Sequence, residues 1–505
     1  MNHRSLFGGT NERDGAASHR IDSMATKDDG TDGRGDDDAA RRAFEAIAND
    51  ESRDADGMEL FARLAAAAGA SERRDVAECV EATRKKDGRR SVVVDVRSPG
   101  EYEKGHIPGA VNAPLFGNDE RAAVGTAYKS KGRGEAMVLG MSYAAPRLDE
   151  IVRTVEAACE AASASSSASR EGEEDGKGGG GGVSDVYVTC FRGGMRSSCV
   201  GWLLRERMPG RRIHVLEGGY KGFRRWVLER CGTESGFPAP RVCVVGGRTG
   251  VGKTRALLAL RAKGEQVIDL EGLANHAGSA FGWVGRAPQP TSEHYSNLVV
   301  CEWHFMDPNK WVFIEDEGPH VGRCSVDPKL FERMRSAPLV LRMVASRELR
   351  LQTLVDDYAT SELTSDPEWL PAMRESIEKL VKRLGGDRVA VIRDKLEMGD
   401  FSAVAEGLLE YYDGLYDKHL MNKRKDRRGA RSANTDTAST ANDDTCSIAS
   451  TSTVSVGEER GGTVVDVHCH PDPAGRIDED ALVRDVLLAV GLFESRIDDQ
   501  DPLAE

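Results

Sequence analysis

Apolar, β-branched runs recur along this chain, and two of them continue into a glycine-rich turn and then into a helical pattern. The clearest runs are Val92–Val96, Val186–Thr189, Val242–Val245 and Trp311–Ile314. Continuous apolar runs of this length are typical of strands that are buried on both faces of a parallel sheet. The alternation of strands and helices therefore predicts an α/β fold built on parallel sheets.

A cysteine follows the second of these runs, where a strand stops and a helix begins. Gly193 and Gly194 leave the loop amides bare beside Cys190, and Arg192 and Arg196 add positive charge. Amides, a helix N-terminus and arginines together favour a thiolate, which can take sulfur or selenium as Cys-S-SH or Cys-S-SeH. Cys190 is therefore predicted to be catalytic. The alternative is a buried structural cysteine, which would need neither the arginines nor the glycines.

A second segment, residues 95–112, carries Asp-Val-Arg-Ser-Pro-Gly-Glu-Tyr and Gly-His-Ile-Pro-Gly. Together with the Cys190 loop it resembles a rhodanese domain over roughly residues 74–232. The resemblance implies a fold that carries persulfides on a loop cysteine. Gly105 to Gly109 are predicted to form a turn of fixed conformation, and Asp95 and Arg97 are expected to brace that turn rather than to take part in chemistry.

A glycine-rich motif opens the second half of the chain. The strand that precedes it continues directly into Gly247-x-x-x-x-Gly252-Lys253-Thr254, and a helical pattern follows. This is the sequence context of a phosphate-binding loop, in which backbone amides, including that of Gly250, cradle a diphosphate. Lys253 is predicted to neutralise the diphosphate, and Thr254 is a candidate magnesium ligand.

Three carboxylates, Glu315 to Glu317, end the strand that begins at Trp311. In a phosphate-loop fold, this is where an acid that organises magnesium belongs, so Glu315 and Asp316 are the candidates. The alternative is that these acids cap the next turn or pair with Arg323.

The loop after Val267 is dense in glycine and small polar residues, which a general phosphate-loop enzyme does not need. Its candidates for positioning a substrate are Asp269, Glu271, Asn275 and His276. A structural role for His276 is an equal alternative.

The order of these motifs resembles the tRNA 2-selenouridine synthase family over about residues 74–422. Besides the rhodanese-like and phosphate-loop segments, the resemblance rests on Asp269–His276, Ile314–Glu317, Lys382–Gly386 and Tyr411–Tyr416. It implies that the chain is a selenotransferase and geranyltransferase. The resemblance further implies that wobble 2-thiouridine of tRNA would be S-geranylated with geranyl diphosphate, and that selenium from selenophosphate would then replace the S-geranyl group. Cys190 would engage selenium, the phosphate loop would bind the leaving diphosphate, Mg²⁺ is possible, and no tightly bound cofactor is expected.

Charge is distributed unevenly along the chain. The net charge is -14, but residues 191–260 hold 14 basic and 4 acidic residues, an excess of +10. Such an excess is expected of a surface that binds a polyanion such as tRNA, although a solvated basic surface is the alternative. Residues 1–60 carry a net charge of -7 and residues 431–505 a net charge of -11.

Composition predicts the remaining domain organisation. Acidic, polar tails cannot bury enough apolar surface to offset the entropy of ordering, so disorder is expected there. The predicted divisions are a disordered segment at 1–57, a rhodanese-like domain at 74–232 with a flexible insertion at 163–182, a phosphate-loop domain at 240–422, a disordered linker at 423–463 and a C-terminal segment of unknown role at 464–496. That last segment contains His468-Cys469-His470, which lacks the partner cluster of a structural metal site.

Ten scattered cysteines fit a reducing compartment, and Cys199, among apolar residues of a helix, is expected in the core. No apolar run approaches membrane-spanning length, and no secretory or basic transit signal is evident, so a cytoplasmic protein without a membrane partner is expected. Two other function classes stay open. One is a rhodanese-type sulfurtransferase relay coupled to an ATP-binding kinase or ATPase domain, and the other is a regulatory protein whose rhodanese domain only docks a partner. The sequence leaves the oligomeric state open.

Overall fold

A computed structural model describes residues 72–84, 90–164, 183–232, 241–423, 454–459 and 462–500. The predicted disordered segment at 1–57 and nearly all of the predicted insertion at 163–182 lie outside the described residues. The chain divides into two compact units, one of which contains residues 118–147 and the other residues 67–117 and 148–505. In the described part of the first unit, two helices and a 3-10 turn pack together: Asn118–Lys131, Arg133–Ala144 and Ala145–Arg147.

Among the described residues, the second unit contains two large sheets and a two-stranded one, and the first large sheet has five strands that are all parallel. Its strands, in the spatial order β1-β5-β4-β2-β3, are β1 (Arg73–Arg74), β5 (Arg212–Leu216), β4 (Val183–Thr189), β2 (Arg90–Asp95) and β3 (Val111–Asn112). The helices of this half are Val76–Thr83, Pro99–Lys104, Leu148–Ala164, Met195–Arg207 and Gly219–Gly232. Val186 and Val188 of β4 are fully buried, as the apolar run predicts.

The second sheet has six strands in the order β12-β13-β11-β6-β8-β7. They are β6 (Arg241–Gly247), β7 (Gln266–Ile268), β8 (Trp311–Glu315), β11 (Leu339–Val344), β12 (Val454–Glu459) and β13 (Gly462–His468). All neighbouring strands run parallel except β12, which is antiparallel to β13. A short antiparallel pair is formed by β9 (His320–Val321) and β10 (Cys324–Ser325). The predicted α/β fold with parallel sheets is confirmed.

Helices cover the second sheet and continue into a helical region. Their bounds are Lys253–Ala262, Leu270–Leu273, Ser292–His304, Pro328–Arg335, Arg347–Tyr358, Ser361–Ser365, Trp369–Glu378, Val381–Leu384, Gly386–Glu397, Phe401–Lys423 and Glu479–Gln500. The helices between Arg347 and Lys423 share an apolar core that contains Trp369, Ile377 and Leu408.

The C-terminal segment is an integral part of the second sheet. The pattern predicts a strand at Val464–His470 and a helix at Asp480–Glu494, and the structure has β13 and the helix Glu479–Gln500 there. The prediction of a disordered linker to residue 463 does not hold for β12, because pairing with β13 satisfies its backbone groups. The sequence left the role of this segment open, and the structure shows that it extends the sheet beside β11.

Contacts of this C-terminal segment reach the glycine-rich loop. A Cβ atom on Gly252 would lie 2.4 Å from Cδ1 of Ile477. The thiol of Cys469 lies 3.8 Å from the carbonyl oxygen of Val251. The segment therefore packs directly against the loop that precedes the helix Lys253–Ala262.

Truncating a buried side chain of the last helix should destabilise the fold. Leu482 is 1% exposed in the core of the second sheet, whereas Leu488 of the same helix is 53% exposed. Leu482→Ala is expected to lower the free energy of unfolding by about 2 to 5 kcal/mol. Leu488→Ala is the matched control, with an expected change within about 0.5 kcal/mol. Urea denaturation measures both, and equal effects would show that this helix does not dock through Leu482.

Helices long and apolar enough to cross a bilayer do not occur within the described ranges.

Candidate active sites

The Cys190 loop lies between the end of β4 and the start of the helix Met195–Arg207. Cys190 is 3% exposed, and its Sγ lies 3.2 Å from Oγ of Ser197. That hydroxyl is also 3.0 Å from the carbonyl oxygen of Gly194, to which it donates. The sulfur therefore sits at the first turn of the helix, as predicted, beside a hydroxyl that the sequence analysis did not single out.

Two glycines allow this loop to pack against the turn that follows β5. Gly193 has φ of 67°, and a Cβ there would lie 2.4 Å from the carbonyl oxygen of Leu216. Gly219 has φ of 55°, and its Cβ would lie 2.3 Å from the carbonyl oxygen of Cys190. Both positions require glycine, because any side chain would collide with backbone atoms in a left-handed conformation.

The two arginines of the loop differ in their surroundings. Arg196 forms an ion pair with Glu101 at 3.2 Å, so part of its charge is offset. Arg192 is exposed, as is Gly194.

Cys199, in the helix that follows the loop, lies in the core as predicted. Burial first, and the neighbouring Cys190 second, raise the pKa of Cys199 to about 12, which makes it an unreactive thiol.

Asp95 and Arg97 form the brace that the sequence predicts. Both are almost fully buried, and Nη2 of Arg97 lies 2.6 Å from Oδ2 of Asp95. The same nitrogen donates to the carbonyl oxygen of Gly105 at 2.7 Å, and the guanidinium lies 3.8 Å from the ring centroid of Tyr220. These contacts hold the loop after β2 in place.

The phosphate loop follows β6 with the geometry that its glycines predict. Gly250 and Gly252 have φ of 81° and 80°, and the next helix begins at Lys253. Nζ of Lys253 donates to the carbonyl oxygen of Gly247 at 3.2 Å. Oγ1 of Thr254 donates to Oε2 of Glu271 at 3.1 Å. The loop thus joins a helix N-terminus, an ammonium and a hydroxyl, which together suit a phosphate group.

Carboxylates gather beside Thr254. Glu315, at the end of β8, is fully buried, and its Oε2 accepts the backbone N–H of Glu271 at 3.0 Å. Burial first, and then the charges of Glu271 and Asp269, raise the pKa of Glu315 well above its ordinary value. Burial first, and then Glu271, raise the pKa of Glu317 to about 8 against the opposing effect of Lys253. The sequence analysis did not single out Glu317.

The two predicted magnesium candidates have different neighbours. Oε1 of Glu315 is buried without a hydrogen-bond partner among the described residues. Asp316 lies 3.5 Å from Arg335, and therefore pairs with an arginine other than Arg323. Within the described residues, no group of three or more His, Cys, Asp or Glu side chains is arranged as a metal site. Glu315 therefore contacts Glu271, which in turn accepts the hydrogen bond of Thr254. Asp316 instead forms an ion pair with Arg335.

The predicted substrate-positioning residues in the loop after Val267 differ in whether their polar atoms already have partners. Asp269 caps the helix Leu270–Leu273, because its Oδ1 accepts the N–H of Gly272 at 2.6 Å. Asn275 has φ of 50°, and its side chain donates to the carbonyl oxygen of Pro288 at 3.2 Å. His276 is buried, which together with Arg286 lowers its pKa, and its Nδ1 has no partner among the described residues. The first two residues shape the loop, and His276 retains a ring nitrogen for a further contact.

A helix of the rhodanese-like half connects the Cys190 loop to the phosphate-loop half. The N–H of Tyr220 donates to the carbonyl oxygen of Cys190 at 2.8 Å. The hydroxyl of Tyr220 donates to Glu293 at 2.5 Å and accepts from Nδ2 of Asn297 at 3.1 Å. Since Glu293 and Asn297 belong to the helix Ser292–His304, Tyr220 links both halves.

The raised pKa of Glu317 predicts a pH dependence of stability. Between its ordinary value of 4.5 and about 8, folded Glu317 holds a proton that the unfolded chain has lost. Stability contributed by this group therefore falls as pH rises through that window. Glu317→Gln should reduce the loss of thermal stability between pH 5 and pH 8, whereas Glu375→Gln at an exposed site should not. An unchanged pH profile in Glu317→Gln would contradict the raised pKa.

Two protein-family models match this chain. The family model described as the tRNA 2-selenouridine synthase AAA domain matches residues 240–445, and the rhodanese-like domain model matches residues 77–139. The C-terminal strand β13 and the last helix lie beyond the first of these matches. A solved structure, of the N-terminal domain of an ATP/GTP binding protein from Clostridium difficile 630, is 32% identical over 31% of this chain and 99% of its own, with a TM-score of 0.23.

Several similar proteins carry the name tRNA 2-selenouridine synthase. The protein from Sulfurovum sp. is 34% identical over 65% of this chain and 88% of its own length. Those from Marinobacter nauticus and Pseudomonas putida are 31% and 34% identical, over 89% and 86% of their own lengths and 66% and 64% of this chain. With a phosphate loop and a loop cysteine on the predicted elements, the chain belongs to the tRNA 2-selenouridine synthase family.

Proposed function

We propose that this chain converts wobble 2-thiouridine in tRNA to 2-selenouridine in two steps. The sulfur is first alkylated with geranyl diphosphate, and selenium from selenophosphate then replaces the S-geranyl group. The observation that carries the proposal is the presence of a phosphate loop and a strand-to-helix cysteine in one compact unit, linked through Tyr220. One centre suits the departure of a diphosphate, and the other suits a selenium anion.

Alkylation breaks the bond between C1 of the geranyl group and the diphosphate, and forms a bond from C1 to sulfur. Negative charge grows on the departing diphosphate, so donors that are already in place stabilise the transition state. The backbone amides of the phosphate loop and the ammonium of Lys253 supply those donors. Lys253 lies at the helix N-terminus, where the helix dipole adds to its charge.

Oxygen groups beside the phosphate loop would hold Mg²⁺ together with oxygens of the bound diphosphate, rather than as a site built from protein carboxylates alone. The buried, unpartnered Oε1 of Glu315 and the hydroxyl of Thr254, near the carboxylate of Glu271, are oxygen donors of the type that Mg²⁺ prefers. Mg²⁺ would neutralise charge on the diphosphate. A bound cation would favour the deprotonated forms of Glu315 and Glu317, whose pKa values are raised by burial and by neighbouring carboxylates.

In the selenium step, the P–Se bond of selenophosphate breaks with water as the acceptor of the phosphoryl group, selenium adds to C2 of the S-geranylated base, and geranyl thiol leaves. Cys190 engages the selenium nucleophile at its strand-to-helix junction, and no change of oxidation state is needed. The helix that follows Cys190 begins at Met195, so its N-terminus provides positive potential on this side of the sulfur, and the exposed Arg192 adds a positive charge to the same loop. The basic excess over residues 191–260 suits the phosphates of tRNA. His276, whose buried Nδ1 has no hydrogen-bond partner among the described residues, is a candidate for positioning a substrate beside the phosphate loop.

Mass spectrometry of wobble nucleosides tests the proposal. Substrate tRNA containing 2-thiouridine is incubated with the protein and Mg²⁺, with geranyl diphosphate alone or with geranyl diphosphate and selenophosphate. We expect S-geranyl-2-thiouridine in the first reaction and 2-selenouridine in the second. Rapid ATP hydrolysis without any alkylation would instead favour the sulfurtransferase relay coupled to an ATPase.

A further inference from the structure

A pocket with a mainly apolar lining lies beside the phosphate loop. Two of its lining residues are Thr249, in the phosphate loop, and Ser279, in the loop that follows the helix Leu270–Leu273. Most of the others project from the helices Arg347–Tyr358, Trp369–Glu378 and Phe401–Lys423, and include Leu354, Trp369, Phe401 and Leu408. The described part of the chain thus places an apolar pocket and a diphosphate-binding loop side by side.

The phosphate loop is tied directly to two walls of this pocket. Nε of Arg350 donates to the carbonyl oxygen of Thr249 at 2.8 Å. Nη1 of the same arginine lies 3.0 Å from Oδ2 of Asp413, in the helix Phe401–Lys423. Arg350 is almost fully buried, so these bonds fix the loop against both helices.

The loop after the helix Leu270–Leu273, which contains Gly278 and Ser279, approaches the same pocket. A Cβ on Gly278, next to Ser279, would lie 2.5 Å from Oε1 of Glu271. The hydroxyl of Tyr358 lies 3.4 Å from Oγ of Ser279, and the hydroxyl of Tyr412 accepts the N–H of Ala280 at 3.3 Å. Both tyrosine hydroxyls therefore engage this loop.

The remaining wall is built from large apolar side chains. Trp369 and Phe401 contact each other edge to face, with ring centroids 5.4 Å apart. The indole N–H of Trp369 donates to the carbonyl oxygen of Tyr358 at 2.8 Å, which leaves its polar atom satisfied. Side chains held in this way set a fixed limit to the space that a hydrocarbon chain can occupy.

We propose that this pocket binds the hydrocarbon chain of the alkyl diphosphate, and that Phe401 and Leu408 set the chain length that the protein accepts. The inference rests on the proposed function and adds the place and the selectivity of the alkyl-binding site. A ligand with a diphosphate at the phosphate loop and an apolar chain among the three helices matches both halves of this surface.

Changing the size of the pocket should change the preferred chain length. Phe401→Ala enlarges it, so the kcat/KM ratio for farnesyl over geranyl diphosphate should rise by roughly tenfold or more. Leu408→Trp narrows it, so the ratio for dimethylallyl over geranyl diphosphate should rise by a similar factor. Leu415→Ala, at an exposed position of the same helix, is the matched control and should shift neither ratio by more than about twofold. The products are S-alkylated tRNA nucleosides, separated by mass.

Inhibition by inorganic diphosphate shows whether each variant retains a folded phosphate loop, and Phe401→Leu provides a milder change if Phe401→Ala does not fold. Unchanged chain-length ratios in variants that inorganic diphosphate still inhibits would overturn the pocket assignment and leave the proposed function standing. Wild-type protein that alkylates tRNA with none of the three diphosphates would overturn both proposals.

Discussion

Lys253→Ala is expected to reduce S-geranylation of tRNA by roughly a hundredfold or more, because removing one donor to a developing negative charge typically costs a few kcal/mol in the transition state. Nζ of Lys253 lies over the phosphate loop, 3.2 Å from the carbonyl oxygen of Gly247. Initial rates of S-geranyl-2-thiouridine formation measure the effect. Because Lys253 acts in the alkylation step itself, the loss of rate should also appear in single-turnover reactions with geranyl diphosphate.

Lys263→Ala is the matched control for this variant. Lys263 lies at the other end of the same helix, exposed, and pairs with Asp480 on the surface. Exposed ion pairs contribute little, so this variant should alkylate at nearly the wild-type rate. Undiminished alkylation by Lys253→Ala would show that the loop does not bind the leaving group.

Cys190→Ser is expected to abolish formation of 2-selenouridine while S-geranyl-2-thiouridine accumulates. A serine hydroxyl does not ionise near neutral pH and cannot engage selenium as a thiolate does, whereas Lys253 and Thr254 remain in place. The substitution is nearly isosteric, so the contact with Ser197 and the fold of the loop should survive. Wobble nucleosides from reactions with both geranyl diphosphate and selenophosphate provide the measurement.

Cys199→Ala removes a thiol from the same helix and should form both products. That thiol is buried and has a raised pKa of about 12, so it is not expected to engage selenium. Normal formation of 2-selenouridine by Cys190→Ser would rule out Cys190 as the catalytic residue. Loss of both products would instead show that the two centres are coupled, for which Tyr220 provides a direct path.

Local backbone geometry and long-range contacts differ in how far the sequence predicts them. Where function depends on local backbone geometry, the sequence was sufficient. Glycines at Gly193, Gly250 and Gly252 adopt positive φ at the positions where the motifs place them. An apolar run followed by such a loop and a helix therefore predicted both the Cys190 junction and the phosphate loop.

Partners that are distant along the chain could not be predicted in this way. Arg196 pairs with Glu101, 95 residues away, and Arg342 of β11 pairs with Asp466, 124 residues away. The sequence offered Arg323 as a partner for the carboxylates, and the structure places Arg335 beside Asp316. Charge pairing depends on which surfaces meet, and residue type alone leaves many pairings possible.

By itself, the sequence determined the α/β fold, the position of Cys190 at a strand-to-helix junction and the phosphate loop, because these follow from local periodicity and from the conformational freedom of glycine. Only the tertiary structure decided that β13 completes the second sheet, that Glu317 joins Glu271 beside the phosphate loop, and that three helices enclose an apolar pocket there. These features depend on burial and on contacts between distant segments. Desolvation and packing arise only when the chain is folded, so no local pattern records them.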